Sequence, residues 1–323
     1  MGNHMDRSLG TYEKNRPHRR GAWVTICRQE VRFATVFLST TVLWTIVRLW
    51  KVGVDRNTDA DVKPWRIESA TPCSKIFIDL GSNDGESIQA FLHPDGADPR
   101  HPLPPRISSG KLIMHVRHLG WNVSDFCIYG FEGNPRFTEI LGQVEKRESR
   151  FARVVQIFKE TVVGVHNGEV KLYLDDVNEQ HQFWGSSVMR DHESVLRSSG
   201  NFTNVISVDF ADFLEELLLL ESRKEQKPFV VVKMDIEGSE YEILRHLAVR
   251  GLLCLTMDYL FLEFHDHAFP RRRDEFLAME KTYTTILRSD ECRTSLITDG
   301  MRTEHGIRVP TSRGRGVSKL KPL

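Results

Sequence analysis

Apolar and polar residues change their rhythm several times along this chain. The longest apolar run, Phe33 to Trp50, gives way to a polar stretch at 51–72. Beyond it, short apolar runs alternate with stretches whose apolar residues recur every three or four positions. The first kind fits strands and the second amphipathic helices. Strands are predicted at Lys75–Leu80, Phe126–Phe131, Val154–Phe158, Phe229–Asp235 and Tyr259–Phe264. Phe229–Asp235 is almost continuously apolar, as in a strand covered on both faces. Thr161–Val165 and Glu169–Leu174 read as strand segments around the turn His166-Asn167-Gly168.

Helices are predicted over Glu86–Leu92, from Ser108 or Ser109 to Gly120, over 135–150, over Asp209–Glu221, after Ser239, and over Asp274–Leu287. The Asp209–Glu221 helix gathers Phe210, Phe213, Leu214, Leu217 and Leu218 on one face. The helix before Gly120 does the same with Leu112, Ile113, Val116 and Leu119. Ser239 and Glu242 have the spacing of a capping box, and Gly251 stands where that helix ends. Asp299-Gly300 predicts a hairpin turn.

Alternating strands and helices predict an α/β fold with a doubly wound, mostly parallel, Rossmann-like sheet and an antiparallel edge at the C-terminal end. The prolines at 94, 99, 102, 104 and 105 mark residues 93–107 as a surface insertion. The expected organisation is an N-terminal arm (1–32), a membrane helix (33–50), a stem (51–72), one catalytic domain (73–310) and a tail (311–323).

The 323 residues carry 44 Lys plus Arg against 44 Asp plus Glu, a net charge of zero. That balance hides an asymmetry. Residues 1–32 hold seven basic and three acidic side chains, 308–323 hold five basic and none acidic, and the rest therefore sums to −9. With 40% hydrophobic residues, a wholly disordered chain and a multi-span membrane protein are excluded. The basic ends accompany no recognisable nucleic-acid motif, so no nucleic-acid partner is expected.

Phe33–Trp50 is close to the length of roughly 20 residues that spans a bilayer. Arg48 and Lys51 can snorkel and Trp44 and Trp50 suit the interface, so one uncleaved signal-anchor helix is expected. A signal peptide is disfavoured because no small-residue cleavage site follows. Basic residues flank both sides of the run and orient it poorly. Two sequons, Asn122-Val-Ser and Asn201-Phe-Thr, and four cysteines after the run favour a body in the lumen of the secretory pathway.

Three strand ends carry the candidate chemistry. The first is Asp79-Leu-Gly81-Ser-Asn83-Asp84-Gly85. Its glycines allow a tight turn and close approach of the backbone to a ligand, and Asp79 can face a cation. A plain turn with Asp84 capping the helix is the competing explanation. The second is Phe131-Glu132-Gly-Asn134-Pro135, where a carboxylate can accept both hydroxyls of a ribose. The third is Lys233-Met-Asp235-Ile-Glu237-Gly-Ser-Glu240, with Glu263 and His265 after the next strand. Asp235 ends a very apolar strand, where a charge needs a partner. His265 has the pKa of a general base, with Asp235 as its rival; a structural histidine is the alternative. No metal is expected, because no CxxC or HExxH spacing occurs.

Together these segments resemble the FkbM-type family of S-adenosylmethionine-dependent methyltransferases, whose pattern Lys-x-Asp-x-Glu-Gly-x-Glu stands here as Lys233–Glu240. The resemblance covers about residues 74–265. It implies a class I methyltransferase fold and S-adenosylmethionine as cofactor. The implied acceptor is a hydroxyl of a sugar, glycan or small metabolite. Asp79, Gly81, Asn83 and Gly85 would line the methionine end, and Glu132 and Asn134 the ribose. Asp235, Glu237 and His265 would border methyl transfer. Where the family usually has proline, this chain has Gly133. That departure leaves a second possibility, a membrane-anchored binding or scaffold protein that keeps the fold without turnover. A nicotinamide-linked oxidoreductase ranks last, since the full Gly-x-Gly-x-x-Gly turn is missing.

Overall fold

The computed structural model describes residues 63–68, 73–93, 120–179, 183–221 and 227–298. The expected arm, anchor run 33–50, most of the insertion, the helix before Gly120, the Asp299-Gly300 turn and the tail lie outside these residues. Among the described residues, no helix is long and apolar enough to cross a membrane.

The strands are β1 (Lys75–Leu80), β2 (Phe126–Glu132), β3 (Val154–Lys159), β4 (Thr161–Gly164), β5 (Gly168–Tyr173), β6 (Phe202–Asp209), β7 (Phe229–Met234), β8 (Tyr259–Leu262) and β9 (Ser295–Thr298). The helices are α1 (Glu86–Leu92), α2 (Thr138–Glu148), α3 (Glu193–Arg197), α4 (Phe210–Glu221), α5 (Glu240–Val249) and α6 (Arg273–Leu287).

Six strands form one sheet in the order β3-β2-β1-β7-β8-β9, and every pairing in it is parallel. The order reverses direction between β1 and β7. Such a switch point leaves a crevice beyond the C-terminal strand ends, because the connections depart in opposite directions there. Successive residues of β1 face opposite layers. Phe77 packs with Ile88, Phe91, Leu141 and Val144 from α1 and α2. Ile76, Ile78 and Leu80 pack with Phe213, Leu214 and Leu217 of α4 and with Leu244 and Leu247 of α5. The apolar runs read from the sequence are thus strands covered on both sides.

The expected antiparallel C-terminal edge is not found among the described residues: β9 pairs with β8 in parallel. The antiparallel pairing lies instead in a separate sheet of order β4-β6-β5, where β5 and β6 run antiparallel and β4 and β6 parallel. Glu160, with φ of 54°, turns the chain out of the main sheet between β3 and β4. β6 itself is not predicted, since its polar opening Phe-Thr-Asn hides the alternation that follows. The helix after Ser239 also starts differently. Ser239 makes no side-chain capping bond. The Gly238 N–H is taken by Glu240 Oε2 instead, at 2.9 Å.

Disulfides join Cys73 to Cys127 and Cys254 to Cys292. The first ties the entry of β1 to β2, and the second ties the loop after α5 to the approach of β9. Replacing Cys254 and Cys292 by serine is expected to lower unfolding stability by about 2–4 kcal/mol, the usual worth of such a cross-link. Denaturant midpoints of the wild type and the double variant check this, and equal midpoints contradict it.

Candidate active site

The crevice at the switch point is built from the ends of β1, β2, β7 and β8. Gly81 leaves β1 with φ of +82°, and a Cβ there would stand 1.9 Å from the Asp235 carbonyl oxygen. Only glycine lets the first loop lie this close to the end of β7. The Gly81 and Ser82 N–H groups both donate to the Phe131 carbonyl, at 3.1 and 2.9 Å, tying the loop to β2 as well. Gly85, with φ of +85°, sits against Leu141 and Val144 of α2. It shapes the helix entry and lies under the site instead of lining it. Asp84 Oδ1 takes the Glu86 N–H at 3.2 Å, but the N-cap position is Gly85, not Asp84, and it makes no side-chain capping bond.

Glu132 is the hub of the β2 end. Its Oε2 accepts the Asn83 N–H at 2.8 Å and its Oε1 accepts the Asn134 N–H at 2.7 Å. Asn83 reaches it from a left-handed backbone conformation, φ 49°. Burial pushes the Glu132 pKa up to about 7, with the two N–H groups pulling against it. The side chain keeps a solvent-facing edge, which tempers the rise. Asn134 is buried; its Oδ1 takes the Arg136 N–H and its Nδ2 donates to Ser186 Oγ at 3.2 Å. It braces the loop carrying Ser186 more than it lines the crevice. Gly133 has a packing reason: a Cβ would come within 2.4 Å of Val162 Cγ1 in β4.

Lys233 joins the first and third strand ends. Its Nζ stands 3.4 Å from Asp79 Oδ1 and 3.3 Å from Asp235 Oδ2, and donates to the Gly81 carbonyl at 3.2 Å. Burial alone would lower the Lys233 pKa, but Asp235 and Asp79 overcome that and hold it above the usual lysine range. Asp79 is fully buried, with Oδ2 accepting from Ser87 Oγ at 2.5 Å and Oδ1 making no hydrogen bond. Burial raises its pKa against the pull of Lys233. The sequence places Asp79 on the ligand; the structure places it beneath, acting through Lys233. For Asp235, burial works upward but Lys233 and His265 prevail, so its carboxyl is held below the usual range.

Glu237 occupies a left-handed turn, φ 53°, closed by Gly238, whose Cβ would strike the Phe269 ring at 2.3 Å. Glu237 Oε2 lies 3.0 Å from His192 Nε2. His192 Nδ1 accepts the Ser194 N–H, which fixes the proton of a neutral His192 on Nε2, pointing at Glu237. Ser187 Oγ donates to the Glu237 carbonyl at 2.7 Å. His192, Ser186 and Ser187 are site neighbours that the sequence reading missed. No motif surrounds them, and only the fold brings their loop back to Asn134 and Glu237.

His265 is buried, with 4% of its surface exposed. Its Nδ1 lies 3.0 Å from Glu240 Oε1, which also takes the His265 backbone N–H at 2.9 Å. Its Nε2 faces Asp235 Oδ1 at 3.5 Å and Glu237 Oε1 at 3.6 Å. Burial alone would lower its pKa, yet Glu237, Glu240 and Asp235 raise it well above the ordinary value. These carboxylates favour the charged ring, which works against the base role expected for His265. Asp79, Gly81, Asn83, Glu132, Asp235, Glu237 and His265 do converge at one crevice.

A parallel sheet of this order with its switch point between β1 and β7 is a Rossmann-like α/β fold. The methyltransferase FkbM domain matches residues 111–288, more than half of the chain. The chain therefore belongs to the FkbM methyltransferase family. A crystal structure of a methyltransferase FkbM from Methylobacillus flagellatus KT is similar over 57% of this chain, at 16% identity and a TM-score of 0.26. That match covers 30% of the bacterial chain. No curated protein matches this chain.

Because burial favours the neutral form of Glu132, the fold binds its proton more tightly than the unfolded chain does. Stability from this group is present below pH 4.5 and lost as pH rises through about 7. Unfolding midpoints at a series of pH values from 4.5 to 7.5 should therefore fall for the wild type and fall less for Glu132→Gln. The same slope in both proteins would show that Glu132 titrates normally.

Proposed function

We propose that the chain is an S-adenosylmethionine-dependent O-methyltransferase acting on a hydroxyl of a sugar, glycan or small metabolite. The observation that carries this reading is Glu132: two backbone N–H groups hold its two oxygens in place at the switch point. Each oxygen keeps a further lone pair for one hydroxyl of a ribose diol. The carboxylates Asp235 and Glu237 at the end of β7 fit a ligand that brings positive charge.

S-adenosylmethionine supplies a methyl group on a sulfonium, an electrophile that needs little further activation. The protein's own residues position and polarise. Glu132 fixes the ribose, and the loop Gly81–Asn83 offers backbone at close range. Lys233 keeps Asp235 ionised beside the crevice. Asp235 and Glu237 border the place where an acceptor hydroxyl must stand, and His192 holds Glu237 in position. Alignment of that oxygen with the methyl group is the main catalytic contribution expected of such a site.

We also propose that the catalytic body lies in the secretory lumen, held by the run Phe33–Trp50. The paired cysteines support an oxidising compartment, where disulfides persist. Asn122 and Asn201 are both exposed, as glycan acceptors must be.

Calorimetric titration of the full-length protein with S-adenosylmethionine should give saturable binding. Glu132→Ala should weaken it by about 10–100-fold, the cost of losing hydrogen bonds to a charged group. Wild-type affinity in that variant would remove Glu132 from the site. Digestion of the cell-expressed protein with an N-glycosidase should increase its gel mobility. If neither Asn122 nor Asn201 carries a glycan, the lumenal assignment is contradicted by its most direct readout.

A further inference from the structure

Beyond Lys233, the ends of β7 and β8 bring several carboxylates and a histidine together. Asp79 and Asp235 pair with Lys233, Asp235, Glu237 and Glu240 face His265, and Glu237 also faces His192. Met234 O receives the Glu263 N–H at 3.0 Å, so the β7–β8 ladder holds Glu263 beside Asp235. Ligand atoms of Asp235, Glu263 and His265 all lie within 4.8 Å of one another. Bond lengths of about 2.1–2.4 Å let two donors on one ion stand up to roughly 4.2–4.8 Å apart. Two donors 3.5 Å apart, the separation of His265 Nε2 and Asp235 Oδ1, subtend an angle near tetrahedral at such an ion.

The second observation is the way His265 is held. Its Nδ1 meets the fully buried Glu240 Oε1, a carboxylate anchored in turn by the Gly238 N–H. That contact turns Nε2 toward Asp235 and Glu237, where it stands at ion-pair distance without a hydrogen bond. A histidine whose one nitrogen donates to a buried carboxylate while the other faces carboxylate oxygens has the arrangement of a metal-ligating histidine. A purely structural ion pair would need only one partner for each nitrogen.

We propose that Asp235, Glu263 and His265 Nε2 form a binding site for one divalent transition-metal ion, with Glu237 at its edge and Glu240 orienting the histidine. Mixed imidazole and carboxylate donors suit ions of the manganese or zinc class better than magnesium or calcium, which prefer oxygen alone. The inference deepens the methyltransferase reading, because the site lies where the acceptor hydroxyl must stand. An ion there would bind through an Nε2 that carries no proton, since a ligating imidazole is neutral. The ion holds the acceptor oxygen and favours release of its proton to solvent. The oxygen lone pair then forms the O–CH3 bond as the CH3–S bond breaks, its electron pair staying on sulfur.

The test uses the full-length protein, stripped with EDTA and dialysed, and Mn2+ alone as the probe. Loss of the free Mn2+ electron paramagnetic resonance signal should saturate at one ion per chain. Glu263→Gln should weaken that binding at least about tenfold, and Glu240→Gln by a similar factor, as supporting carboxylates commonly do. Thermal melts of each variant separate lost binding from lost folding, and His265→Gln provides a further ligand deletion. No saturable binding by the wild type, or binding that folded Glu263→Gln and His265→Gln leave unchanged, overturns the proposal. Because no cofactor is added, Mn2+ bound without S-adenosylmethionine affinity would sink the methyltransferase reading alone, and the reverse result would sink the metal site alone.

Discussion

The close approach of two strand ends is the constraint on which everything else in this protein depends. β1 and β7 lie side by side where the sheet changes direction, and the first loop passes against the Asp235 carbonyl with no room for a Cβ at Gly81. That contact sets the depth of the crevice. It also puts Asp79 and Asp235 on either side of Lys233, with the lysine hydrogen-bonded to the Gly81 carbonyl. One cation thus fixes the geometry of both strand ends. Larger side chains at Gly81 would push the loop away and separate the groups that Lys233 joins.

Charge compensation is the second layer of the design. Burying several carboxylates together is costly unless each has a partner. Lys233 serves Asp79 and Asp235, His265 serves Glu240 and faces Asp235 and Glu237, and two backbone N–H groups serve Glu132. The partners are shared, and more anionic groups than cationic ones remain. A cationic ligand is the natural complement of such a crevice. Its stability without a ligand and its affinity for one are therefore two sides of the same electrostatics.

The sequence revealed the parts of this arrangement that are local. The apolar run Phe229–Met234 followed by Lys233–Glu240 announces a buried strand opening into a charged turn, and that is where it lies. Glu132 is legible for the same reason, at the end of an apolar strand before a proline. What stayed hidden depends on contacts between distant segments. His192 is aimed at Glu237 only because its loop returns over the crevice. The base role expected of His265 follows from its ordinary pKa, and three neighbouring carboxylates work against it. The smaller sheet escaped notice because β6 opens on polar residues, and the turn at Glu160 that separates the sheets has no glycine to mark it. The Ser239 cap failed because Ser239 itself has helical backbone angles, φ −73° and ψ −16°, and its hydroxyl makes no capping bond.

Family membership supports methyltransferase chemistry, and Glu132, Lys233 and Asp235 mark the place proposed for it. The account stands or falls on that place. A crystal structure of the protein with S-adenosylhomocysteine tests it most directly. The ribose hydroxyls should lie within hydrogen-bond distance of the two Glu132 oxygens, with the sulfur facing the Asp235–Glu237 turn. A ligand bound elsewhere, or a ribose that does not touch Glu132, would contradict it.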